Sequence, residues 1–159
     1  MRRRRNKAIA ACQASFGWTL IEVLVALVIV VLLAMLSYPS YQQIVIRARR
    51  AEAKSALLQL MQQQERFHAQ RNTYVEFSAD AASADAQRFK WFIGSKHQDS
   101  AYQIEGIACP GESVDACILL RATPGGPRVN RSFSDAECGR LGLTSTGVKT
   151  AEGDLARCW

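Results

Sequence analysis

Two sets of residues in this 159-residue chain have types and spacing suited to chemistry. The first is Glu22, a single carboxylate near the head of an otherwise apolar run and four residues beyond Trp18. A carboxylate in apolar surroundings demands a cation. The second is the set Cys109, Cys117, Cys138 and Cys158, which can oxidise to bridges or hold a soft metal. No Ser-His-Asp, Cys-His or paired-carboxylate arrangement stands out: His68 reads as a boundary residue and His97 as isolated. The expectation is therefore a non-enzymatic protein with no catalytic residues, no metal and no cofactor.

The elements that must position Glu22 come first. Residues 18–38 form an apolar stretch whose part 23–36 has no polar side chain. At about 1.5 Å per residue it spans roughly 31 Å as a helix, the thickness of a bilayer core. An acid at the centre of such a helix costs about 2.5–3.5 kcal/mol on insertion scales, and less near the interface where Glu22 lies. An ordinary signal peptide or plain anchor has no use for it. A cut after Gly17 supplies one, because the new α-amine on Trp18 of a neighbouring copy can pair with Glu22 in an apolar interior.

The charge supports the same division. Five of the 20 Lys and Arg (Arg2, Arg3, Arg4, Arg5 and Lys7) fall in residues 1–17, which hold none of the 14 Asp and Glu. Set against an insertion segment, that head reads as a cytoplasmic retention signal under the positive-inside rule, with nucleic-acid binding as the rival reading. Cys12 lies in this reducing-side head. The other four cysteines fall beyond the apolar segment, where three pairings are open to them. Their spacings, seven residues inside Cys109–Cys117 and nineteen inside Cys138–Cys158, lack the short paired knuckles of zinc sites.

A basic leader, Gly17, then Trp18-Thr19-Leu20-Ile21-Glu22 and an apolar helix resembles the processing site of the type IV pilin family. The resemblance implies cleavage by a prepilin peptidase between Gly17 and Trp18, N-methylation of Trp18, and Glu22 as the assembly acid. The family usually has Phe where this chain has Trp18. Pilins also carry a proline at the distance of Pro39 from the cut, implying a helix that loosens during filament assembly. By its missing N–H, Pro39 is expected to kink or interrupt the helix, or to mark the end of the span.

Residues 42–70 are rich in helix formers and lack Gly and Pro. Ala53, Leu57, Leu60, Met61, Gln64 and Phe67 fall on one face, which should pack on a sheet. Arg47, Arg49, Arg50 and Lys54 form a basic cluster that reads as a solvated helix face, with contact to lipid headgroups or an acidic neighbour as the alternative. The exit, residues 64–74, is similar to that of PilE-type minor pilins.

Beyond it, 71–100 reads as a polar connector with a short helix near 79–88 and an apolar patch at 89–93. Strands are expected at 102–107, 117–123 and 138–144, with turns at Pro124-Gly125-Gly126-Pro127 and Gly147 and a fourth strand or stapled tail at the end. A helix followed by short strands indicates an α+β fold with an antiparallel sheet. The favoured bridges are Cys109–Cys117, tying a local excursion, and Cys138–Cys158, clamping the terminus. Cys138-Gly139-x-Leu141-x-Leu143 with Gly147 and a terminal Cys158-Trp159 resembles the PilE-type C-terminal pattern.

The resemblance thus implies the pilin fold: a long N-terminal helix, half filament core and half amphipathic, on a small antiparallel sheet. The expected organisation is a removed leader (1–17), a transmembrane or filament-core helix (18–45) and an exported head (46–159). The expected function is that of a minor pilin in pilus assembly, and hence adhesion or twitching motility. Its partners would be other pilins in a helical filament, the prepilin peptidase and the inner-membrane assembly platform. It would sit in the inner membrane before joining an extracellular pilus. One alternative is a competence-type pilin binding DNA, with Arg121, Arg128, Arg131 and Arg140 as contacts, although from Arg47 onward 15 basic side chains face 13 acidic ones. Another is a type II secretion pseudopilin.

Overall fold

The computed structural model describes residues 19–159, apart from the side chains at 36–40. Gly17, Trp18 and Cys12 lie outside the described residues. The chain divides into two compact units, Met1–Tyr41 and Gln42–Trp159. Helix α1 spans Leu20–Arg71, 52 residues. It runs through Pro39 rather than stopping there. A proline inside a helix forfeits one backbone bond, and the helix-forming sequence on both sides sustains the helix regardless. At the far end Asn72 takes φ 54°, the left-handed conformation that Asn tolerates, and its N–H bonds the His68 carbonyl at 2.8 Å.

Four strands follow: β1 (Tyr102–Ala108), β2 (Ile118–Pro124), β3 (Leu141–Thr144) and β4 (Lys149–Ala151). They form an antiparallel meander in sequence order. Register places Ile104 opposite Ala122, Gly106 opposite Leu120, and Leu120 opposite Leu143. Alternation in β1 and β2 buries Tyr102, Ile104, Ile118, Leu120 and Ala122 on one face. Ala53, Leu57, Leu60 and Met61 of α1 are buried in the same core, so helix packs on sheet. Gly106 is required by close approach, since a Cβ there would lie 2.6 Å from the Phe77 ring. The last turn, α2 (Leu155–Cys158), is capped by Asp154, whose carboxylate accepts from the Ala156 N–H.

The β1 edge is covered, and the β4 edge is met at one carbonyl. Phe77 exchanges backbone hydrogen bonds with Gly106, and the Ile104 N–H donates to the Trp91 carbonyl at 2.7 Å, so connector segments lie along β1. On β4 the Trp159 indole N–H donates to the Thr150 carbonyl at 2.8 Å. The covering on β1 hinders edge-to-edge pairing with other chains there. The helix expected near 79–88 is only a 3-10 turn, Ala86–Arg88. Ser78 and Ser83 side chains accept from the Asp80 and Ala86 N–H groups, so local side-chain bonds compete with helix there.

Candidate functional site

At the start of α1, Thr19 accepts from the Glu22 N–H through both its carbonyl, at 3.1 Å, and its hydroxyl, at 3.3 Å. This is the N-cap half of a Thr-x-x-Glu capping box, a signal that sequence reading missed. It fixes Glu22 in the first helical turn, exposed, where the helix dipole favours a negative charge. Around and beyond it the helix is apolar on every side, and Leu20, Val23, Leu27 and Val30 are all about half exposed or more. Among the described residues no helix is long and apolar enough to cross a membrane. The expected span, 18–38, includes Trp18 and the side chains at 36–38, which lie outside the description.

The head is fastened by a buried polar clasp. Arg50 donates from Nε to Asp135 Oδ2 and from Nη2 to Asp135 Oδ1, both at 2.8 Å, and from Nη2 to Glu137 Oε2 at 2.9 Å. The Tyr102 hydroxyl donates to Asp135 Oδ2 at 2.8 Å, and the Cys138 N–H to Oδ1 at 3.2 Å. Arg50 therefore departs from the solvated basic face expected for its cluster, being only 4 % exposed. The physical reason is its partner, which lies 85 residues away and cannot be read from helical spacing. Burial alone would raise the Asp135 carboxyl, but bonds from Arg50, Tyr102 and Cys138 outweigh it and hold the group below the usual carboxylate range. Burial, with Asp135 next to it, pushes the Tyr102 phenol up. The bonds to Asp135, and secondarily to Glu137, hold the Arg50 guanidinium protonated more firmly still.

Cys109 is bonded to Cys117 and Cys138 to Cys158, with Cα separations of 5.4 and 5.6 Å. The first bridge closes the β1–β2 connection; the second ties α2 to the residues leading into β3. Among the described residues no group of His, Cys, Asp and Glu is placed to hold a metal ion.

The four head arginines are largely occupied. Arg121 pairs with Glu105 at 2.7 Å, the two lying opposite each other on β2 and β1. Arg140 pairs with Glu152 at 2.6 Å, Arg128 pairs with Asp80, and Arg131 donates to the Pro127 carbonyl at 3.2 Å.

Comparison with known proteins adds to this geometry. Residues 39–142 match the family described as type IV minor pilin ComP, DNA uptake sequence receptor. The chain belongs to this type IV minor pilin family. The match takes in the Arg50–Asp135 clasp and the Cys109–Cys117 bridge; Glu22, the Gly17–Trp18 junction and Cys158 fall outside it. This minor pilin is also similar to a solved type IV pilin from Shewanella oneidensis, with 21% identity, TM-score 0.43, and 72% of this chain and 97% of that one covered. A second similar structure is the non-core minor pilin PilV of Neisseria meningitidis, with 21% identity, TM-score 0.45, and 70% and 90% covered. No curated protein sequence matches the minor pilin.

Proposed function

We propose that this minor pilin enters a type IV filament after cleavage between Gly17 and Trp18 by a prepilin peptidase, with Trp18 N-methylated. The helix 18–45 waits in the inner membrane, is handed to the assembly platform and joins the filament core, leaving the head 46–159 outside. Pro39 is the point at which the helix loosens during that transfer. Glu22 pairs with the α-amine of an adjacent subunit and sets its axial register. The observation that carries this reading is the beginning of α1, apolar on every side yet bearing one exposed carboxylate. A helix hydrophobic all round needs lipid or other helices against it. The test is immunoblotting of sheared filaments. Glu22→Ala should be processed and membrane-inserted but absent from filaments, whereas normal incorporation would remove the role assigned to the acid. Pilus-dependent adhesion and twitching then serve as downstream readouts.

A second reading, that the head contacts DNA, is favoured by the family's description as a DNA uptake sequence receptor. Phosphate contacts make binding steeply salt-dependent. Affinity of the protein for a DNA duplex, measured across a salt series, tests it; absent or salt-insensitive binding eliminates it.

A further inference from the structure

Three open cavities, of about 330, 290 and 190 Å³, follow one flank of α1 where the 88–101 connector runs beside it. They adjoin: the first two share Ile93 and Gly94, and the second and third share Gln63. The helical wall runs from Arg49 to Gln70, about 31 Å at 1.5 Å per residue, close to one turn of B-form duplex. Lys96 lies in the first cavity, Lys90 in the second, and Arg66 with Arg88 in the third. Acids line only the first, where Glu52 is already paired with Arg49 at 3.0 Å and Asp99 lies in the same lining as Lys96.

These cations differ from the head arginines in availability. Among the described residues none of Arg66, Lys90 and Lys96 is ion-paired with a carboxylate, and Arg88 meets Asp85 only at 3.6 Å with both side chains exposed. By contrast Arg121, Arg128 and Arg140 each hold an acid. The Lys90 ammonium sits 4.6 Å above the Phe92 ring, which limits its sweep without neutralising it.

We propose that this groove, with Arg66, Arg88, Lys90 and Lys96 along it, holds the phosphate backbone of double-stranded DNA. The inference rests on the DNA reading above and gives it a place on the molecule. The contacts are to phosphate, so they position the duplex and carry no base preference.

The test uses the full chain in detergent, with Arg2, Arg3, Arg4, Arg5 and Lys7 replaced by Ser in every sample to silence the leader. Affinity for a labelled duplex of about 20 base pairs, long enough to cover the groove, is measured between 50 and 200 mM salt. Against that background the groove variant Arg66→Gln, Arg88→Gln, Lys90→Gln, Lys96→Gln should lower the slope of log K on log salt by about 0.9 per cation, about 3.6 in all. Lys90→Gln with Lys96→Gln alone, two exposed positions that the fold tolerates, should lower it by about 1.8. Arg121→Gln, Arg128→Gln, Arg140→Gln should leave the slope unchanged. Loss of binding in that last variant but not in the groove variants overturns the site and leaves the DNA reading standing. No binding by the background protein removes both. Groove-dependent binding to phosphatidylglycerol vesicles without binding to the duplex also overturns the proposal, making the surface one for lipid.

Discussion

Arg50 and Asp135 are joined by two hydrogen bonds of 2.8 Å across 85 residues of sequence, with the Asp135 side chain fully enclosed and that of Arg50 nearly so. One residue belongs to the helix, the other to the loop that leads into β3 through Cys138. Helix, sheet and the disulfide-clamped terminus therefore meet at a single charged contact. Tyr102, at the start of β1, is the third member.

Removing one partner of this pair should be costly. Asp135→Ala leaves the guanidinium buried without its main acceptor and the Tyr102 hydroxyl and Cys138 N–H unsatisfied. The expected loss is about 3–5 kcal/mol, read by denaturant unfolding. Arg50→Met combined with Asp135→Leu should recover the part due to the stranded charge, while the Tyr102 hydroxyl and the Cys138 N–H stay unsatisfied and keep the remainder of the loss.

The same contact contributes to the pH dependence of stability at both ends. The Asp135 carboxyl lies below its ordinary value near 3.9, so its contribution is full above that value and lost as pH falls through the folded one. Tyr102 lies above its ordinary value near 10, so its contribution is full below pH 10 and lost on raising the pH beyond it. A thermal midpoint followed against pH should therefore fall at both ends. Tyr102→Phe should reduce the alkaline limb and, by removing one of the bonds that hold Asp135 low, shrink the acid limb in part without abolishing it.

The two bridges should differ in weight. Loops of 20 and 8 residues correspond to about 3.3 and about 2.5 kcal/mol in the chain-entropy account. Replacing Cys138 and Cys158 by Ser should thus lower the unfolding midpoint more than replacing Cys109 and Cys117, and each pair should abolish its part of the shift caused by reductant.

What the sequence disclosed follows from the range of the interactions involved. Ala53, Leu57, Leu60 and Met61 repeat at helical spacing, and Tyr102, Ile104, Ile118 and Leu120 alternate, so local periodicity placed both faces of the core. Gln64 lay on the helical face without an evident purpose. The structure uses its amide as a substitute strand, donating to the Val75 carbonyl at 2.7 Å and accepting from the Val75 N–H at 3.0 Å. Arg50 gave no local sign of its role because nothing near it in sequence calls for an acid. Residues 89–93 read only as an apolar patch, since their place beside β1 depends on a strand formed ten residues later. Thr19, by contrast, is legible as a cap, because its spacing to Glu22 is that of a capping box.

The central claim is that cleavage frees an amine for the carboxylate of Glu22 in a neighbouring subunit. Intact mass analysis of this minor pilin from sheared filaments tests it most directly. The predicted species begins at Trp18, carries one added methyl group and retains both disulfides. Recovery of only the uncut chain, confined to the membrane fraction and absent from filaments, would contradict the account.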